Sequence, residues 1–113
     1  MFKSENVTIV NLTPHTISVL DSANQVVMAI EPSGQLARLA TSRECIGTVN
    51  GIPVNATVMG ELTGLPDPQP GTVYLVSLAA AKAVPERDDV FVTDDAVRDQ
   101  SGRIIGCRAF ARV

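Results

Sequence analysis

Asn50-Gly51 is followed by a run in which Ile52, Val54, Ala56 and Val58 alternate with Pro53, Asn55, Thr57 and Met59. Asn and Gly both accept the positive φ that a two-residue type I′ turn demands, and a period of two is the period of an extended strand. The segment therefore reads as the return strand of a hairpin, with one apolar face. Pro53 lacks an N–H, which marks an edge strand or a strand start.

Short runs rich in β-branched residues also occupy 7–12, 16–20 and 26–30, separated by Thr13-Pro14-His15 and by turn residues from Asp21 to Gln25. They predict a three-stranded meander ended by Pro32-Ser33-Gly34. Residues 36–49 are less regular. Residues 60–71 hold three of the seven prolines and three of the eight glycines, which predicts a loop of fixed shape. Residues 72–78 are apolar except around Ser77 and suit a central strand, while Ala79 to Val84 favours a short helix stopped by Pro85. A last hairpin spans 90–113 and turns at 99–102, with Ile105, Cys107, Ala109 and Ala111 on one face and Ile104, Arg108, Phe110 and Arg112 on the other. The expected fold is mostly β: a small antiparallel β-sandwich or partly closed barrel of about seven or eight strands with one short helix. Residues 1–113 form one domain, with 1–6 expected to be flexible.

Composition narrows the function. A net charge of −3 argues against bulk nucleic-acid binding, which draws on displaced counterions. The first residues lack the apolar run of a signal peptide and nothing downstream is long enough to span a bilayer, so a cytoplasmic protein without membrane contact is expected. Cys45 and Cys107 lack metal-ligand spacing and His15 is the only histidine, so neither a Cys/His metal site nor a cofactor is expected. An enzyme would have to work through His15 with Ser77, Cys45 or Cys107 nearby, and no local nucleophile signature supports one. Turn chemistry at the Pro14 corner alone accounts for the position of His15 and is the favoured reading. Asp88-Asp89 and Asp94-Asp95 sit beside one predicted strand, where adjacent side chains point to opposite faces. No phosphate-binding glycine loop is present.

Seven arginines stand against two lysines, and five of the arginines fall between Arg87 and Arg112. The planar guanidinium fork suits phosphate or carboxylate. Arg87, Arg98, Arg108 and Arg112 with Phe110 are thus a candidate anion site, Arg108 and Arg112 being roughly 13 Å apart on one strand face. The competing reading pairs these arginines with Glu86, Asp88, Asp89, Asp94, Asp95 and Asp99 on a solvated surface.

Asn11-Leu12-Thr13-Pro14-His15, Glu31-Pro32-Ser33-Gly34, Gly60-Glu61-Leu62-Thr63-Gly64-Leu65-Pro66 and the segment from Val97 to Arg108 together resemble a family. It is the group of short phage, prophage and actinobacterial proteins that open with Asn-Leu-Thr-Pro-His, and the resemblance runs from about Val7 to the C-terminus. It implies a phage context and supplies no catalytic residues. Small phage folds of this kind act by binding, as inhibitors of host defence, sponges for nucleotide signals, or virion and regulatory accessories. The expectation is a non-enzymatic binding protein that sequesters a nucleotide-derived host defence signal in pockets between subunits of a homo-oligomer. The alternative is a protein-protein inhibitor or structural accessory whose acidic loops, at Glu61, Asp67, Asp88 and Asp89, meet a basic host protein. The expected ligand-binding set is Asn11, His15, Arg87, Arg98, Arg108, Phe110 and Arg112.

Overall fold

The computed structural model describes residues 6–113, so most of the N-terminal segment expected to be flexible lies outside it. Eight strands and one short helix follow in the order β1 (Thr8–Asn11), β2 (Ile17–Leu20), β3 (Val26–Ile30), β4 (Arg38–Val49), β5 (Ile52–Thr63), β6 (Thr72–Leu75), α1 (Leu78–Ala83), β7 (Val90–Arg98) and β8 (Ile104–Ala111). The mostly β class and the single short helix are as the sequence predicts. No helix among the described residues is long and apolar enough to cross a membrane.

Six strands form one sheet in the order β1-β6-β7-β8-β2-β3, and β4 and β5 form a separate two-stranded ribbon. The pairing is mixed, not antiparallel throughout: β1 with β6, β6 with β7 and β2 with β8 are parallel. The crossover through α1 makes the β6–β7 pair possible, since parallel neighbours need a connection that returns the chain to its starting end. The predicted meander is also corrected. β2 and β3 pair as expected, but β1 hydrogen-bonds β6 and leaves β2 to β8. Pro14 and the Asn11 turn make a corner that carries the chain away from its own edge before β2 begins.

The sheet curls so that its two outer strands meet at one end. Asn11 bridges Pro32, and its side-chain amide donates to the Ile30 carbonyl at 3.0 Å. Leu12, Tyr74, Val76 and Val90 pack with Ala80 and Ala81 of α1, and Ala37, Leu62 and Leu65 close the cluster from the ribbon's base. Burying side chains of this size stabilises by about 1.5–3 kcal/mol each for the larger ones. Ser77 begins the helix, its hydroxyl accepting the Ala80 N–H at 3.2 Å. At Val84 the backbone N–H turns back to the Ala81 carbonyl, and Pro85 follows.

The ribbon is the surprise in the irregular 36–49 stretch, which becomes a 12-residue strand, as does β5. Asn50 and Gly51 take φ of 50° and 80°, as a type I′ turn requires. The Gly/Pro loop shortens accordingly, because β5 continues through Thr63 before Gly64 turns the chain. Gly64 has φ +85° and lies so close to Leu36 that a Cβ would stand 2.0 Å from its carbonyl oxygen. The projecting ribbon gives a radius of gyration of 17.0 Å, against about 13 Å for a compact domain of this length.

Candidate functional site

The Asn-Leu-Thr-Pro-His motif is first of all a structural joint. Asn11 is 1% exposed, and every polar atom of its amide is used. Nδ2 donates to the His15 carbonyl at 2.7 Å and to that of Ile30 at 3.0 Å, while Oδ1 accepts from Thr13 N at 2.9 Å and Thr13 Oγ1 at 2.7 Å. A buried amide satisfied on both sides fixes the corner and clamps the end of β3 to β1. Asn11 is thus held away from any ligand. The corner it builds leaves Pro14 and His15 exposed on the rim of a groove.

The arginines expected to form an anion site are not gathered in one place. Arg87 makes a two-pronged pair with Asp89, Nε to Oδ1 at 2.7 Å and Nη2 to Oδ2 at 2.8 Å, and also donates to the Pro66 carbonyl at 3.0 Å. Both side chains are largely covered, at 17% and 13% exposure. The hydrogen bond to Asp89 raises Arg87, and the same bond holds the Asp89 carboxyl below its ordinary value. This pair ties the 64–71 loop to the start of β7. Arg98 donates to the Gly102 carbonyl at 2.7 Å within its own hairpin. Arg108 reaches the β2–β3 turn, bonding the Asp21 carbonyl at 3.3 Å and Asn24 Oδ1. Arg112 lies just past the end of β8, exposed, with no hydrogen bond or ion pair to another described residue.

The register settles their separation. Arg98 pairs with Ile104 at one end of the β7–β8 hairpin and Ala111 with Val92 at the other, which sets Arg98 and Arg112 about 20 Å apart at 3.3 Å per residue. Arg108 and Phe110 do share a face of β8, and Phe110 is half-buried. The expected pairing with acidic neighbours holds for Arg87 and Asp89. Asp99 instead organises its turn, accepting from Ser101 N, Ser101 Oγ and Arg103 N, and the Ser101 hydroxyl is the main cause that holds its carboxyl below the ordinary value.

Two adjoining cavities mark the concave surface. The larger, about 880 Å³, has the β7–β8–β2 part of the sheet as its floor, with the 13–16 corner and the first residues of α1 as its walls. His15, Thr16, Ser18, Asp94 and Asp95 supply its polar groups, and Ile17, Val76, Leu78, Val92 and Ile105 its apolar surface. The smaller, about 340 Å³, lies between α1 and the ribbon base and includes Leu36, Arg38 and Leu39. Thr13, Pro14 and Ser77 line both, so the two lobes of this cleft adjoin across those residues. Arg38, an exposed residue, lines the smaller cavity, and its guanidinium has no partner among the described residues. Sequence reasoning passed over Arg38; the signal was a lone cation set among Leu36, Ala37 and Leu39, residues that pack near the core.

The cleft's nucleophile candidates are poorly placed for covalent chemistry. Cys107 is buried in the floor, and that burial pushes its thiol up from the ordinary value, away from the reactive thiolate. The Ser77 oxygen is engaged as the helix cap. No described side chain hydrogen-bonds the His15 ring to orient it. No cluster of metal-binding side chains occurs among the described residues. Asp95, in the larger lobe, holds φ +54° inside β7, a left-handed conformation that costs a non-glycine residue about 1 kcal/mol or more. None of the family models, curated proteins or solved structures compared with the chain matches it.

Proposed function

We propose that the chain is a non-enzymatic, phage-type binding protein of the host cytoplasm that sequesters a small, anionic, nucleotide-like molecule. The observation that supports it is the pair of adjoining cavities, one lined by Arg38 and the other by His15, Asp94 and Asp95, that share Thr13, Pro14 and Ser77. Its larger lobe falls within the size range of small-molecule sites. Arg38 offers the fork a phosphate needs, and the carboxylates of the larger lobe accept hydrogen bonds from sugar hydroxyls, while its apolar walls take a planar base. Asp94 and Asp95 repel a second phosphate from that lobe, so the ligand's charge belongs at the Arg38 end.

This reading moves the anionic contact from Arg87, Arg98 and Arg108, each occupied by the fold, to Arg38. Calorimetric titration with cyclic dinucleotides and ADP-ribose-type compounds tests it. Binding by one class, weakened tenfold or more by Arg38→Ala with the fold intact, supports the assignment. No heat with any of them overturns the nucleotide reading.

A further inference from the structure

We propose that Asn50, at the tip of the β4–β5 ribbon, is a site of spontaneous covalent modification, at which the Gly51 nitrogen attacks the Asn50 side-chain amide and the turn is converted to aspartate or isoaspartate. The inference stands apart from the ligand reading, since it uses no residue of the cleft. Five asparagines occur in the chain, and only Asn50 is followed by glycine. Ring closure brings the residue after the asparagine against the side-chain carbonyl, so a Cβ on that residue crowds the attack and glycine does not. Around Gly51 the space is open as well, since a Cβ built there would meet nothing within 4 Å.

The fold leaves both reacting groups free. Val49 pairs with Ile52 across the turn, so the ladder closes on those two residues and the two central N–H groups face outward. Asn50 and Gly51 are exposed, and neither the Asn50 side-chain amide nor the Gly51 N–H has a hydrogen-bond partner among the described residues. The other asparagines differ. Asn11 is buried with its amide fully engaged, Asn24 Oδ1 accepts from Arg108, and Asn55 sits within β5 opposite Cys45. Asn6 precedes Val7, whose branched Cβ stands where the ring must close.

The Gly51 nitrogen, having lost its proton to hydroxide, bonds to Asn50 Cγ. The Cγ–Nδ2 bond breaks, and the amide nitrogen leaves as ammonia after taking a proton from water. The five-membered imide that remains is opened by water at either carbonyl. Cleavage of the new bond restores the backbone and leaves an aspartate side chain; cleavage at the Asn50 backbone carbonyl routes the chain through the side chain as isoaspartate. Water is the one co-reactant, and nothing is oxidised or reduced. The two products differ for the fold. Asp-Gly suits a type I′ turn as Asn-Gly does, whereas isoaspartate adds a methylene to the main chain and spoils the two-residue closure between Val49 and Ile52. The ribbon is a sheet of its own, and a lone strand pair is marginally stable, so its outer end frays. Its base stays, held by Ala37, Leu62 and Leu65 in the core cluster.

Incubation of the folded full chain in mildly alkaline buffer, followed by peptide mass spectrometry, tests the proposal. Asn50 is expected to exchange NH2 for OH in mass about tenfold faster, or more, than each other asparagine, the factor given by a barrier lower by about 1.4 kcal/mol. The rate should rise with hydroxide concentration, and Asn50→Gly, which keeps a turn-compatible Gly-Gly pair, should abolish modification of the tip. Amide hydrogen exchange then separates the products. The chromatographically isolated isoaspartate form should exchange faster over the outer pairs from Gly47–Val54 to Val49–Ile52 and unchanged in the six-stranded sheet, while Asn50→Asp exchanges like the parent. Modification of Asn50 no faster than that of Asn24 or Asn55, or confined to chain unfolded in urea, overturns the proposal. An isoaspartate form whose ribbon is as protected as the parent's overturns the predicted fraying.

Discussion

Asn11→Ala removes four hydrogen bonds from one buried point, and its effect can be worked out group by group. The Ile30 carbonyl loses a donor inside the structure, and an orphaned buried acceptor costs about 1–3 kcal/mol. The His15 carbonyl keeps the Thr13 hydroxyl at 3.2 Å and lies near solvent, so its loss falls nearer the net value of about 1 kcal/mol for an ordinary hydrogen bond. Thr13 N adds a similar amount. The sum is about 3–5 kcal/mol, a large part of the 5–15 kcal/mol typical of a domain. Urea unfolding followed by far-UV circular dichroism measures it as a lower midpoint at unchanged slope. Asn11→Asp sharpens the test. Its carboxylate would face the two carbonyl oxygens that the amide now serves, which disfavours the charged form and raises the folded-state pKa above the ordinary Asp value of about 3.9. The folded state then binds the proton more tightly, so the protonated variant is the more stable one. That gain is full below the unfolded value and is lost as pH rises through the raised folded value. Relative to the parent, the variant therefore recovers stability on acidification from neutral pH. A loss under 1 kcal/mol for Asn11→Ala, or an Asn11→Asp variant that weakens on acidification, would refute the clamp.

The Arg87–Asp89 pair makes the opposite pH prediction. Asp89 is held low in the folded state, so its stabilisation, about 1–2 kcal/mol for a largely covered two-pronged pair, is present above the unfolded value near 3.9 and fades as pH falls through the folded one. The stability difference between parent and Asp89→Asn, measured by urea unfolding from pH 7 to 3, should shrink toward acid; a constant difference contradicts it. Of the two thiols, exposed Cys45 should react rapidly with a disulfide reagent at pH 8 and buried Cys107 only on unfolding; two fast thiols per chain would show the cleft floor to be open. Gly64→Ala should destabilise by more than 1 kcal/mol, because it combines a positive φ with a clash against the Leu36 carbonyl; an unchanged melting temperature would contradict that close approach.

Local chemistry was the part of the fold legible in the sequence. Asn50-Gly51 named its own turn, Pro85 marked the end of the alanine helix, and 99–102 turned the last hairpin as expected, whereas the strand expected over 72–78 stops at Leu75 and Ser77 caps the helix instead. What escaped was long-range pairing. β1 and β2 are neighbours in sequence, yet the buried Asn11 joint sends them to opposite regions of the sheet, and no spacing rule encodes that a strand will choose a parallel partner some 60 residues on. The arginine cluster escaped for a related reason. Pro66, Gly102 and Asp21 occupy Arg87, Arg98 and Arg108 through backbone carbonyls, which every residue carries and no sequence pattern advertises. Arg38 drew no notice because the cleft it lines is assembled from the corner, the helix start and the ribbon base, three segments far apart in the chain.

Mass spectrometry of small molecules released by denaturing the protein after purification from phage-infected or defence-activated host cells tests the binding account most directly. The account predicts a phosphate-bearing, nucleotide-like compound in near-stoichiometric amount from the parent protein, and little or none from a folded Arg38→Ala variant handled identically. Recovery of no compound above the background of an unrelated protein, or equal recovery from the parent and Arg38→Ala, would contradict it.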